Sequence, residues 1–170
     1  PVDRGDGVQS FHHAVELLKE GELVGIFPEA TISRAMELKD FKSGAVRIAS
    51  TAGVPVIPVV LWGTQRMMTK DHPNDFSRGK SIHVRVGAPM HFTGEDADAD
   101  TAALHAVMGE LLEESIAGYP ADEQPPGSWW VPARLGGSAP SLERAAEMDA
   151  EEKRKRAERK AAKAAENRKA

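Results

Sequence analysis

A carboxylate, two hydroxyls and a guanidinium fall within the stretch GIFPEATISR: Glu29, Thr31, Ser33 and Arg34. Thr and Ser hydroxyls donate to phosphate oxygens, and a guanidinium can grip a phosphate through two parallel bonds. Each hydrogen bond to such a charged group contributes about 1.5–3 kcal/mol. Glu29 would repel a phosphate dianion, so its expected part is to hold a cation or a backbone loop. Lys42, in DFKSGA, adds a cation just before an expected helix N-terminus, itself an anion-attracting end. Arg4, in PVDRGDG, is a third candidate, with Asp3 and Asp6 beside it as alternative partners. Spacing alone leaves two readings open. The cluster is either a polar strand-to-loop turn capped by Thr31 or Ser33, or part of a phosphate site.

The histidines carry less chemistry. His91 and Asp96, in HFTGED, stand at the spacing of a His–Asp dyad, but six His and ten Asp in the chain make one chance match unsurprising. His12 and His13 are neighbours on a helix, where successive side chains diverge by about 100°. His83 is expected to point outward from a strand, and His105 lies within a helix. No metal constellation is credible.

The elements that must position the cluster follow from periodicity. Val8, Phe11, Val15 and Leu18 mark an amphipathic helix stopped at Gly21. Glu22 to Phe27 reads as a short buried strand ending at the cluster, and ligands gather at the carboxyl ends of strands in open α/β sheets. Ser43 is placed to cap a helix that ends at Gly53. VPVIPVVLWG reads as a second strand, irregular at Pro58, whose nitrogen has no hydrogen to donate. In a third strand, Ile82, Val84 and Val86 point one way and His83 and Arg85 the other. Leu104, Met108, Leu111, Leu112 and Ile116 mark a longer helix opened by Asp100 or Thr101. Strands alternating with helices predict an α/β fold, a partly parallel sheet flanked by helices.

Residues 1–119 form the expected domain. Residues 120–140, rich in Pro and Gly with Trp129 and Trp130 adjacent, read as an extended connector. Residues 141–170 form a charged Ala/Glu/Lys/Arg-rich tail, helical or disordered, with no face to bury. The net charge of −4 is unevenly spread. Lys153 to Ala170 holds nine basic and two acidic residues, leaving thirteen basic against twenty-four acidic elsewhere. An acidic body thus carries a basic tail. There is no cysteine, hence no disulfide framework. The longest apolar run, Ala52 to Trp62, falls short of the ~18 residues of a membrane span. Because the chain opens at Pro1 on a polar, structured-looking segment, its natural N-terminus is expected to lie upstream.

FPEATIS, Phe27 to Ser33, resembles the Phe-Pro-Glu-Gly-Thr-Arg-Ser block of the glycerolipid acyltransferases, the family of 1-acylglycerol-3-phosphate acyltransferase. PVDRG resembles the family's preceding block and VPVIPVVLWG its following one, with FKSGA between them as usual. The resemblance covers Pro1 to about Gly63. It implies a glycerol-phosphate acyltransferase-like fold. The implied reaction moves a fatty acyl group from a thioester, on CoA or acyl carrier protein, to the free hydroxyl of lysophosphatidate, giving phosphatidate in phospholipid biosynthesis. No cofactor is implied; the thioester is a co-substrate. Arg4 matches an arginine that holds the acceptor phosphate, and Glu29 and Thr31 match positions that shape its pocket. Ala30 stands where Gly is usual, hindering positive φ. Ile32 stands where Arg is usual, and Arg34 is the expected replacement for its charge. The catalytic His and Asp of the family's His-x-x-x-x-Asp block are expected upstream of Pro1, so no catalytic residue is assigned here, and Arg4, Glu29, Ala30, Thr31, Ser33, Arg34 and Lys42 are the expected substrate contacts.

An amphiphilic acceptor implies peripheral contact with a membrane surface, expected on its cytoplasmic face. Trp129 and Trp130 would either insert at headgroup level or cover the protein's own core, and the basic tail would either contact anionic lipid or remain a solvated helix. Two rival classes remain. A nucleic-acid binder is disfavoured by the acidic body and the lack of aromatics in the tail. A non-catalytic lipid-binding fragment, or acylation of another lysophospholipid or glycolipid, is compatible with the same residues.

Overall fold

The computed structural model describes residues 7–167, with side chains through Ala162. The chain divides into two compact units. One runs through Ile32 and resumes from Leu38 to Glu123; the other comprises Ser33–Glu37 and the chain from Gln124 onward.

In the first unit, α1 spans Gly7–Lys19 and buries Ala14 and Val15. Its end is closed by the Gly21 and Glu22 amides donating to the Leu18 and Leu17 carbonyls, with Gly21 at φ 87°. α2 spans Gly44–Ala52 and ends at Gly53 in the left-handed region. Ser43 occupies the N-cap position as expected, but its side chain makes no cap hydrogen bond. α3 spans Ala97–Ala117. Its N-cap is Asp96, not Asp100 or Thr101: the Asp96 carboxylate accepts from the amides of Asp98 at 3.1 Å and Ala99 at 2.9 Å. That satisfies two of the amides a helix start leaves without partners.

Two strands are described, β1 (Val59–Trp62) and β2 (His83–Val86), paired antiparallel with Val59 opposite Val86 and Trp62 opposite His83. The partly parallel sheet is therefore not what the described residues form. Pro58 has the predicted effect. The ladder breaks beside it into an isolated Val56–Met90 bridge, while the Pro58 carbonyl accepts from the Gly87 amide at 2.8 Å. Gly63 turns the chain out of β1 at φ 97°, where an added Cβ would lie 2.3 Å from the Ser81 carbonyl oxygen. No other residue fits there.

Residues 22–27, expected as a buried strand, have no regular structure, and Leu23 is 96% and Phe27 85% exposed. The apolar run Leu23 to Phe27 has strand propensity but needs a neighbouring strand to bond with, and β1 and β2 bond to each other. The face assignment of β2 is also reversed. α3 packs on the sheet face that carries Val60, Trp62, His83 and Arg85, while Val84 and Val86 are exposed. Alternation places the two sets on opposite faces without saying which is covered. Here α3 offers polar partners: the Glu114 carboxylate and carbonyl each accept from Arg85 at 3.1 Å, and the His83 ring lies 5.0 Å from that of Tyr119.

Ala45, Val46 and Leu104 centre a core flanked by Phe41, Val56, Met90, Phe92 and Met108. At the far end of α3, Glu123 accepts from the Ser81 hydroxyl at 2.5 Å, from the Ser81 amide at 3.1 Å and from Arg66. Arg66 also donates to the Tyr119 hydroxyl at 2.9 Å.

In the second unit, Ala35, Met36, Trp130, Val131 and Ala139 are buried. Trp130 is thus part of this unit's own core rather than an exposed headgroup anchor, and Trp129 is half-buried. The segment after Gln124 is built of short turns, including a 3-10 turn at Ala133–Leu135. The tail is α4, Leu142–Asn167, exposed at every described position beyond Ala150.

Candidate functional site

The cluster after residue 27 is built on a tight turn. The Ala30 amide donates to the Phe27 carbonyl at 3.1 Å, closing Phe27-Pro28-Glu29-Ala30. Pro28 has the fixed φ that suits the second position of such a turn. Ala30 itself sits at φ 59°, a conformation glycine adopts freely and alanine only at a cost of about 1–2 kcal/mol. The backbone that a Gly would serve is present even though the residue is Ala.

Two hydrogen bonds fasten this turn to the chain ten residues on. Glu29 Oε2 accepts from the Lys39 amide at 2.9 Å, and the Pro28 carbonyl accepts from the Lys42 amide at 2.9 Å. Of the two parts expected of Glu29, the structure gives it the backbone-holding one. Burial raises its pKa above the ordinary 4.5, opposed by the Lys39 amide and by the charges of Lys39 and His105. Its carboxylate is a half-buried strut.

The same two bonds set Lys42 beside the turn, where its side chain is exposed. Lys42 and Ser43 lead into α2 and, with Asp40, Phe41, Thr101 and His105, line an open surface groove. The His105 ring meets Phe41 edge-on at 4.6 Å between centroids. Sequence reasoning missed Lys39, because a backbone amide carries no residue-type signal, and it placed His105 only within a helix. Thr31 is exposed.

Ser33 and Arg34 belong to the second unit. The Ser33 hydroxyl is buried with no hydrogen-bond partner among the described residues. Arg34 is only 7% exposed, and its guanidinium donates to Asp149 and, at 2.9 Å, to Glu152 of α4. Both bonds lie within its own unit. A guanidinium bonded to two carboxylates has its charge already matched. Arg4 lies outside the described residues.

The His91–Asp96 match dissolves in three dimensions, since the Asp96 carboxylate is taken up by the α3 amides. Among the described residues no group of His, Cys, Asp and Glu is arranged to hold a metal, and no helix is long and apolar enough to cross a membrane.

A family model described as Acyltransferase matches residues 1–62, the region that contains the Phe27–Ala30 turn, its two ties and β1. The chain is 35% identical over 112 residues, 66% of its length, to the chloroplastic 1-acyl-sn-glycerol-3-phosphate acyltransferase LPAT1 of Arabidopsis thaliana. It is 35% identical over 117 residues, 68% of its length, to the 1-acyl-sn-glycerol-3-phosphate acyltransferase of Bacillus subtilis. The chain belongs to the acyltransferase family. A solved acyltransferase agrees: the 1-acyl-sn-glycerophosphate acyltransferase PlsC of Thermotoga maritima superposes with a TM-score of 0.54 at 26% identity, covering 66% of this chain and 46% of that one. The chain spans 31% of the length of the Arabidopsis acyltransferase and 54% of the Bacillus one.

Proposed function

We propose that this chain is part of an enzyme that transfers a fatty acyl group from an acyl thioester to the free hydroxyl of 1-acylglycerol-3-phosphate, giving phosphatidate in phospholipid biosynthesis. The observation that carries this reading is the fastened turn. A positive-φ residue, a half-buried Glu strut and an adjacent exposed Lys lie together inside the family-matched segment. Relatives named as lysophosphatidate acyltransferases support the choice of acceptor.

In this reading the acceptor phosphate lies against the turn. Lys42 supplies charge, the Thr31 hydroxyl and the α2 N-terminus supply donors, and Arg4 joins them. Glu29 and Ala30 shape the pocket rather than bind the anion. The acceptor hydroxyl must lose its proton as it attacks the thioester carbonyl, and the thiol then leaves. The base is assigned to the His-x-x-x-x-Asp block that this family carries ahead of its Phe-Pro-Glu block. The glycerol-phosphate acyltransferase-like fold, with its larger and partly parallel sheet, belongs to the same proposal. The donor is acyl-CoA or acyl carrier protein, no further cofactor takes part, and the enzyme works peripherally at the cytoplasmic face of a membrane.

The test is free-thiol release from acyl-CoA, with and without lysophosphatidate, for this chain and for a longer form carrying the His-x-x-x-x-Asp block. Lysophosphatidate-dependent release by the longer form alone is expected. If other lysophospholipids serve better than lysophosphatidate, the acceptor assignment fails. If no acceptor promotes release by a folded longer form with either donor, the acyl-transfer reading itself fails.

A further inference from the structure

We propose that the second half of α4 is a docking arm for an anionic lipid surface, an inference that rests on the acyl-transfer reading above. The helix is divided by charge. From Leu142 to Glu152 it carries five acidic residues and one basic; from Lys153 to Ala162, six basic and one acidic. The acidic half is used inside its own unit, where Asp149 and Glu152 hold the buried Arg34. Those bonds fasten α4 to the segment that directly follows FPEATI in the chain.

The basic half is exposed throughout. Lys155 pairs with Glu151 at 2.6 Å and Arg154 with Glu158 at 4.0 Å. Lys153, Arg156, Arg159 and Lys160 have no acidic partner among the described residues. Lys153, Arg156 and Lys160 follow Asp149 at helical spacing and share its face, so the face that grips Arg34 continues outward as a row of cations. The row from 153 to 160 is about 10 Å long, comparable to the screening length in about 0.1 M salt, so its charges act on a surface together.

Two observations choose the occupant. The chain outside Lys153–Ala170 holds thirteen basic against twenty-four acidic residues, so an anionic surface repels it and only the basic end of α4 is drawn in. The proposed acceptor and product are both anionic lipids. The described length of this helix half has no apolar face to insert, so the attachment is electrostatic and reversible.

The experiment is co-sedimentation of the full chain with vesicles of phosphatidylcholine alone or mixed with phosphatidylglycerol, in about 0.1 M and about 1 M salt. Binding is expected only to the mixed vesicles and only at low salt. The combined substitution K153Q, R156Q, R159Q and K160Q is expected to weaken it about a hundredfold or more, with helical circular dichroism unchanged. Equal binding of the substituted and original chains, or no binding of the original, overturns the proposal. So does tighter binding to duplex DNA than to the vesicles. Thiol release measured in detergent micelles reads the chemistry separately. Vesicle binding by the chain with no acyl transfer by the folded longer form overturns only the reading of function, and acyl transfer by the longer form without vesicle binding overturns only the docking arm.

Discussion

Glu29 Oε2 accepts the Lys39 backbone amide at 2.9 Å, joining the turn after residue 27 to the approach of α2. Between the two residues the chain leaves the first unit, contributes Ser33–Glu37 to the second, and returns at Leu38. One carboxylate thus fixes where the chain re-enters, and with the Pro28–Lys42 bond it sets Lys42 beside the turn.

Replacing Glu29 with Ala removes a charge-assisted bond and is expected to cost about 1.5–3 kcal/mol in urea unfolding. Glu29→Gln keeps an acceptor for the Lys39 amide and sheds the burial penalty of the charge, so its cost should be small. Burial raises the folded-state pKa of Glu29 above 4.5, so folding favours the protonated form and this contribution is lost as pH rises from 4.5 through the raised value. Acidification into that window should favour the original chain relative to Glu29→Gln. A Gln variant as unstable as the Ala variant would show that the charge, not the bond, holds the loop.

Ala30→Gly is expected to stabilise the protein by about 1 kcal/mol, because Ala30 at φ 59° bears a Cβ cost that glycine lacks, partly offset by glycine's greater freedom when unfolded. Thermal unfolding of the two forms measures it. A lower melting temperature for the Gly form would mean that the Ala30 methyl makes contacts outweighing the strain.

Asp96→Ala should cost about 1 kcal/mol through loss of the α3 cap. His91→Ala should leave stability nearly unchanged and leave acyl transfer by the longer form intact. A large and equal loss of activity in both variants, with folding preserved, would restore the pair as a dyad.

Glu123 gives a second pH signature, of opposite sign. Bonds from the Ser81 hydroxyl, the Arg66 side chain and the Ser81 amide lower its pKa from 4.5 to about 2. A depressed folded-state pKa contributes stability in full above 4.5 and loses it as pH falls through about 2. Melting curves of the original chain and Glu123→Gln should therefore lie apart near neutral pH and converge in acid. A separation that stays constant down to about pH 2 would locate the effect of the substitution in packing rather than in charge.

The sequence by itself determined the parts whose causes are local. The apolar spacing of Val8 to Leu18 and of Leu104 to Ile116, the left-handed stop at Gly53, the break at Pro58 and the turn-forming Phe-Pro-Glu-Ala are properties of neighbouring residues, and each is in the fold where the pattern put it. What only the tertiary structure decided depends on a distant partner. Leu23 to Phe27 has the composition of a strand but no described neighbour to bond with. β2 alternates as read, yet α3 covers the His83 and Arg85 face because Glu114 and Tyr119 wait there. Arg34 finds its two carboxylate partners 115 and 118 residues away. Local steric and periodic constraints act over a few residues and are written into any short window. Strand pairing, face burial and ion pairing are settled by which parts of the chain meet, and no short window contains that.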